Sequence, residues 1–367
     1  MSNVSTHSDT LGQACLSSNQ IISESKTQSP PLVVRGNNGL RNEKRWGGVK
    51  NYFKNLDQFK AAGAIRNGLT TIDIGPTFID IYAELKPGKP LYVYFNGAQR
   101  RWEKNIKLPI FSGNSVHPSD ECSRLSISDP ALHLDKYITL AWYVGSTGFA
   151  TQKVIIPEIL DKIISLSNAS TVVFVGGSGG GFASLYFSRF YPKSIAVVCN
   201  PQTHILKYKE RQVRKFLQVC YGVDYIYLAE KDPKLTLGIT KSLCRLYNPR
   251  RGELTNRIIY MQNISDDFHY TGHYVKFVEA LGLDVVENVG FHQQGNFLTL
   301  IGDWGDGHIP APGHVWRGIL KNIFLYEKDL DALIVNNQAR KLINDDAFVK
   351  ESPPENSISA PLLSEKD

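Results

Sequence analysis

Thr171-Val-Val-Phe-Val-Gly-Gly-Ser-Gly-Gly-Gly-Phe-Ala-Ser-Leu185 changes character twice in a short span. Val172-Val-Phe-Val175 is a continuous run of β-branched and aromatic residues, the pattern of a strand covered on both faces. Glycines then occupy 176, 177 and 179–181, with Ser178 alone carrying a side chain, before a helical pattern opens at Phe182. The stretch therefore satisfies G-x-S-x-G in the strand–turn–helix setting that gives that motif chemical meaning. A serine on so sharp a turn needs strained backbone angles and neighbours without Cβ atoms. The turn lifts its hydroxyl above the sheet and aims the Gly179 N–H, at a helix N-terminus, toward a developing oxyanion.

Other glycine-rich readings fail on their own terms. A phosphate-binding loop ends in Gly-Lys-Ser/Thr, and the first lysine after this turn is Lys193. A dinucleotide fingerprint beginning at Gly177 wants glycine at 182, where Phe182 stands, and an acid after the next strand, where Asn200 stands. An idle serine in a flexible turn does not account for the flanking strand and helix.

Around this segment, apolar β-rich runs alternate with helical stretches. Strands are expected at Thr71–Ile74, Phe78–Ala83, Leu91–Phe95, Ile138–Tyr143, Thr171–Val175, Ile195–Cys199, Ile258–Met261, Val285–Glu287 and Phe297–Ile301. Helices are expected at Val154–Leu166, Gly181–Phe190, Tyr274–Leu281 and His314–Tyr326. The alternation predicts an α/β domain over 41–348, with a mostly parallel sheet and helices on both faces. The pair around Gly75-Pro76 has the look of an antiparallel edge hairpin. A helical insertion at about 205–255 interrupts the alternation and would lie over the carboxyl ends of the strands, where such sheets bind ligands. Residues 1–40 and 349–367 are polar and aperiodic, and read as disordered arms.

When a serine elbow works by nucleophilic catalysis on such a sheet, the acid and the histidine follow it in the order Ser, Asp/Glu, His. Of the nine histidines, His7, His117 and His133 precede Ser178, and His204 comes before any later strand. Among His269, His273, His292, His308 and His314, the choice falls on His308. It sits in a Gly-rich loop, Gly302-Asp-Trp-Gly-Asp-Gly-His308, just past the last strand. His314 reads as the start of the closing helix, and His292 as a turn residue. The acid should follow the strand 257–263, and Asp266 has the favoured spacing, with Asp267 its rival. Asp303 and Asp306 read as turn formers. Asp266, His269 and His273 raise the thought of a metal, but no H-E-x-x-H or cysteine set accompanies them, and no metal is expected. His269 reads as a structural residue.

Pro90-Leu-Tyr-Val-Tyr-Phe-Asn-Gly-Ala98 is a strand running into a small-residue turn. Gly97 or Ala98 would give the second oxyanion N–H, since small residues let the backbone approach a substrate. Arg100, Arg101 and Lys104 follow at once, and beside an oxyanion hole Arg100 and Arg101 would bind an anionic group of the substrate.

Composition sets the remaining bounds. The chain has 367 residues, 42% hydrophobic and 21% charged, with a net charge of +6. Its basic residues are scattered, which does not suit a dedicated nucleic-acid binder. Five cysteines (Cys15, Cys122, Cys199, Cys220 and Cys244) form no CxxC pair, arguing against a disulfide framework and a zinc ribbon. Neither a secretory leader nor an apolar run of spanning length is present, so a cytoplasmic location is expected, with no membrane span.

Through Gly176-Gly-Ser178-Gly-Gly180, the acid region at Asp266 and the loop of His308, roughly residues 70–325 resemble the α/β-hydrolase superfamily. More narrowly, Phe95-Asn-Gly-Ala98, Gln262-Asn-Ile-Ser-Asp266-Asp-Phe-His269 and Gly307-His308-Ile-Pro310 resemble the pattern of bacterial capsule and cell-surface polysaccharide O-acetyltransferases of that fold. Those enzymes move acetyl from acetyl-CoA to a sugar hydroxyl. The resemblance implies Ser178 as nucleophile, Asp266 as acid and His308 as base. The chain departs from them in its long polar arms. The residues thus predict a serine esterase or hydrolase acting on an ester or thioester, with no cofactor. The transferase alternative would bring acetyl-CoA as acyl donor and a saccharide acceptor. An inactive hydrolase-fold binding protein is the reading from another class, and the apparently complete Ser, Asp and His set speaks against it.

Overall fold

The computed structural model describes residues 41–101 and 105–325; the two arms and Lys104 lie outside them. Ten strands run in chain order: β1 Val49–Phe53, β2 Gly68–Asp73, β3 Phe78–Glu84, β4 Leu91–Phe95, β5 Ser123–Ile127, β6 Val172–Gly177, β7 Ile195–Cys199, β8 Arg257–Asn263, β9 Gly290–Gln294 and β10 Phe297–Gly302. They form one sheet in the order β1-β2-β3-β5-β4-β6-β7-β8-β10-β9. Strand β3 is antiparallel to β2 and β5, and β9 is antiparallel to β10, while the other neighbours are parallel. The hairpin expected at Gly75-Pro76 is β2–β3, with Thr71 opposite Asp80.

The helices are α1 Leu56–Ala61, α2 Ile156–Ser167, α3 Ser178–Ser188, α4 Glu210–Tyr221, α5 Ile226–Lys231, α6 Leu243–Leu246, a single turn α7 Asp267–His269, α8 Lys276–Leu281 and α9 Gly313–Leu325. Wider π-helical turns at Thr151–Ile155 and Tyr270–Val275 lead into α2 and α8. Strict alternation along the central strands sends Phe174, Ala196, Val198, Ile258 and Tyr260 to a core shared with α2, α3, α4 and α8. Val173, Val175, Ile195, Val197, Ile259, Met261, Leu298 and Leu300 face the other side, against Val315, Ile319 and Ile323 of α9. A sheet buried on both faces explains why β6 and β7 are unbroken apolar runs.

Two expected strands are corrected. Ile138–Tyr143 is not a strand: Trp142 (φ 51°) and Tyr143 (φ 59°) both take left-handed backbone angles that no strand accommodates. Its backbone is satisfied locally instead, with Tyr143 N–H donating to Asp129 at 2.8 Å. Val285–Glu287 is not a strand either. Val286 bonds the tyrosine hydroxyls of Tyr270 and Tyr274, and the sheet edge falls at β9. Strands β1 and β5 were not anticipated. Among the described residues no helix is long and apolar enough to cross a membrane.

Candidate active site

Register brings the carboxyl ends of five parallel strands together. Phe95 of β4 pairs with Gly176 of β6, Gly177 with Cys199 of β7, Cys199 with Met261 of β8, and Asn263 with Gly302 of β10. The loops leaving these ends carry Gly97 and Ala98, Ser178, Gln202, Asp266 and His308.

Ser178 is the first residue of α3 and has φ +54°, a left-handed angle that is strained for a side-chain-bearing residue. Its glycine neighbours are required by close packing. A Cβ on Gly176 would meet the Gly180 carbonyl carbon at 2.4 Å, and one on Gly180 would meet Phe95 O at 2.3 Å. A Cβ on Gly97 would lie 3.4 Å from Ser178 Cβ, so the turn after β4 abuts the elbow. Gly179 N–H belongs to the first turn of α3 and has no partner within its own helix.

Asp266 follows β8 by three residues and is buried. Its carboxylate accepts from His308 Nδ1 at 2.5 Å and from His269 Nδ1 at 3.0 Å. Burial alone would raise its pKa, yet the hydrogen bonds and charges of His269 and His308 outweigh that and hold it well below the usual carboxylate range. The two imidazoles stack with centroids 4.0 Å apart. His269 is fully buried, and burial lowers its pKa to about 4 against the opposing pull of Asp266. His308 is partly exposed, and among the described residues no hydrogen bond engages its Nε2. Nor does one join it to Ser178 among those residues. Ser178 Oγ instead accepts from Gln202 Nε2 at 2.7 Å.

The His308 loop is held from below by two buried amides. Asn263 Nδ2 donates to Gly305 O and Gly307 O at 2.7 and 2.9 Å, and its Oδ1 accepts from Trp304 N at 3.0 Å. Asn200 Nδ2 donates to Ile309 O at 2.8 Å, while its Oδ1 accepts the backbone N–H of Asn263.

Other candidates lie elsewhere. Asp267 is exposed, Asp303 accepts from Ser265 Oγ at 2.9 Å, and Asp306 is exposed. His292 bonds Asn288 O, and His314 opens α9. His273 is buried with its Nδ1 accepting from Thr203 N. Arg101 is a correction. Its guanidinium is buried and donates to Leu132 O and Asp135 O at 2.7 Å each, so it fastens the 130–138 segment instead of facing a substrate. Arg100 is exposed. Asp266, His269 and His308 place three ligand-type atoms within 4.8 Å of one another. Both Nδ1 atoms, however, are committed to the carboxylate itself, which suits a hydrogen-bonded cluster better than an ion site.

Gln202, Asn200, Asn263 and Trp142 line the candidate site, and sequence reasoning did not single them out. The available signal was position: Asn200-Pro-Gln202 leaves the carboxyl end of the strand beside the elbow, the edge at which such sheets bind ligands.

Strand β3 antiparallel to both its neighbours, parallel strands beyond β5, and a serine elbow leaving the central strand β6 together define an α/β-hydrolase fold. No family model and no curated protein matches the sequence. Among solved structures, the chain is similar to the capsule O-acetyltransferase of Neisseria meningitidis serogroup A, at 14% identity and a TM-score of 0.47, covering 72% of this chain and 97% of that one. It is similar also to an acetyl xylan esterase from Aspergillus awamori (15% identity, TM-score 0.40, 68% and 98% covered). The Wnt deacylase Notum from Drosophila is a third (11%, 0.37, 63% and 80%).

Proposed function

We propose that the chain is a serine-dependent acyl-transfer enzyme, described most economically as an esterase, with Ser178 as nucleophile, His308 as base and Asp266 as the acid orienting it. One observation carries the reading. The strained elbow of Ser178 shares the sheet's carboxyl edge with an Asp266–His308 pair at 2.5 Å, whose contact through Nδ1 leaves Nε2 without a hydrogen-bond partner among the described residues. His269 shares the same carboxylate but is unsuited to be the base, because its Nε2 already accepts from Gln202 at 3.2 Å.

In the proposed cycle His308 Nε2 takes the Ser178 proton as Oγ attacks an ester or thioester carbonyl. The N–H groups of Gly179 and of Ala98 or Gly97 hold the oxyanion. His308 returns the proton to the leaving group, and an acyl-serine remains. An acceptor hydroxyl then attacks the acyl carbon, giving its proton to His308, and Ser178 is released. Water as acceptor gives hydrolysis; a sugar hydroxyl gives O-acyl transfer, with acetyl-CoA as donor. The motif resemblance at Phe95–Ala98, Gln262–His269 and Gly307–Pro310 favours keeping this second reading, since all three segments meet at the site.

The test is labelling by a fluorescent fluorophosphonate together with turnover of p-nitrophenyl acetate and acetyl-CoA. Ser178→Ala should abolish labelling and lower kcat by about 10⁴-fold or more while leaving the fold intact. Retained turnover would remove the serine from the mechanism. Acetyl-CoA consumption that rises on adding saccharide acceptors would select the transferase.

A further inference from the structure

We propose that Gln202 is a catalytic residue of this site: its side-chain N–H steadies the negative charge that builds on Ser178 Oγ as the hydroxyl proton leaves. The inference rests on Ser178 being the nucleophile.

The orientation of the Gln202 amide is fixed by chemistry. Trp142 Nε1 can only donate, and it lies 3.0 Å from Gln202 Oε1. The amide oxygen is thereby spoken for, and Nε2 with its two hydrogens faces the other way. One hydrogen goes to Ser178 Oγ at 2.7 Å and the second to His269 Nε2 at 3.2 Å. His269 is then the Nδ1–H tautomer, donating to Asp266. Every donor meets an acceptor, and the chain of bonds from Trp142 ends on the carboxylate that also holds His308. Gln202 and Trp142 are both essentially inaccessible to solvent, as is His269.

Such an arrangement does more than fill space. A buried amide with unmet groups is destabilising, and an apolar side chain would pack the same volume without that risk. Its donor also points at the protein oxygen that gives up its proton in the proposed cycle. Accepting from Gln202 leaves the Ser178 proton free to go to His308, so this bond is compatible with the proposed proton transfer. When the acyl-serine breaks down, Oγ departs as the leaving group, and the same N–H favours its departure. Trp142 and His269 are positioning residues that act through the amide. The backbone adds a tether, with Gln202 N–H donating to Ser178 O at 3.2 Å.

The experiment uses the full chain and saturation kinetics with a fluorophosphonate. In that reaction the Oγ–P bond forms, the P–F bond breaks, fluoride leaves and the hydroxyl proton passes to His308. Gln202→Met keeps the length of the side chain and removes the donor. Loss of a donor aimed at developing charge should lower kinact by on the order of 10- to 100-fold while KI stays within about twofold. The midpoint of the pH profile of kinact should hold and only its plateau should fall, because His308 remains the base. Trp142→Phe keeps the ring and frees the amide to turn, and should lower kinact by about 3- to 10-fold with the same split. A folded Gln202→Met protein with wild-type kinact, or one impaired only through KI, overturns the proposal. If Gln202→Met does not fold, a wild-type kinact in Trp142→Phe overturns it equally. A wild-type chain that fails to label brings down the serine reading and this inference with it, a different outcome from labelling that ignores Gln202.

Discussion

Replacing Asp266 with asparagine alters a single functional group at the point where both histidines converge. The carboxylate accepts from His308 Nδ1 at 2.5 Å, His269 Nδ1 at 3.0 Å and the His269 backbone N–H at 3.3 Å. An amide has one acceptor atom, so its NH2 must face one of the two rings and force that ring to move its proton to Nε2. His269 resists, because its Nε2 already receives an N–H from Gln202. His308 is therefore the ring that inverts, and with Nε2 protonated it cannot take the Ser178 proton. The imidazolium formed in the transition state loses its counter-charge as well. Opposite charges ~4 Å apart at an effective dielectric of ~20 attract by roughly 4 kcal/mol. That corresponds to about 10³-fold in rate, and the tautomer penalty brings the expected loss to roughly 10³–10⁴-fold. The assay is kcat/KM on p-nitrophenyl acetate with circular dichroism as a folding control. Asp267→Asn, at an exposed position, should stay within about twofold of wild type. An Asp266→Asn enzyme within tenfold of wild type, or equal damage from Asp267→Asn, would refute the reasoning.

Two further outcomes follow from the fold. Gly180→Ala places a Cβ 2.3 Å from the Phe95 carbonyl and should cost about 2 kcal/mol or more. Gly177→Ala, whose new Cβ has Cys199 O at 3.5 Å as its nearest neighbour, should cost within about 1 kcal/mol and still label; chemical denaturation of both variants checks this. Stability should fall as pH drops from about 6.5 toward 4. Burial lowers His117, His204 and His269 to about 4 and His273 to about 3, so in this window the unfolded chain binds protons that the fold excludes. Asp129, raised to about 6 by burial, opposes this by one proton. A Tm independent of pH across that window would contradict the assignment.

What the sequence made legible was what is local. The elbow is contiguous, and its glycines are demanded by contacts within the strand, turn and helix it joins. Asp266 and His308 were singled out by their distance past a strand end, because the side chain that turns back over a sheet leaves within a few residues, and the fold brings the two into contact. Strand β5 escaped for the opposite reason. Ser123-Arg-Leu-Ser-Ile127 looks half-polar, yet it is wholly buried between β3 and β4. Its polar groups are met by partners that no local pattern announces, Ser123 by Lys86 O and Arg124 by Ser126 Oγ, Ser112 O and Asn114. Arg101 misled in the same way, since nothing near it in the chain shows that its guanidinium turns inward to backbone carbonyls. Gln202 and Trp142 are 60 positions apart and become a pair only when Ile138–Tyr143 abandons the strand its composition suggests.

The geometry of the sheet explains why amides are so prominent around His308. Parallel strands lie about 4.8 Å apart, so β10 starts three strands away from β6, roughly 14 Å from the elbow. The loop bearing His308 has to travel back across the ends of β8 and β7 to approach Ser178. Along that path it is rich in glycine, with Gly305 at φ 121° and Gly307 at φ 75°, and next to His308 its backbone is anchored by hydrogen bonds. Hydrophobic packing is non-directional and would fix such a loop poorly. Directional bonds from the strands it crosses do the fixing: Asn263 at the end of β8 takes Gly305 O and Gly307 O, and Asn200 beyond β7 takes Ile309 O. Both sides of His308 are thus fastened, and Asp266 sets the remaining freedom, the rotation of its ring. Gln202, two residues beyond Asn200, gives the Ser178 hydroxyl the same treatment. One buried polar layer, running from β7 to β8 beneath the loops, thus holds both the His308 loop and the Ser178 elbow.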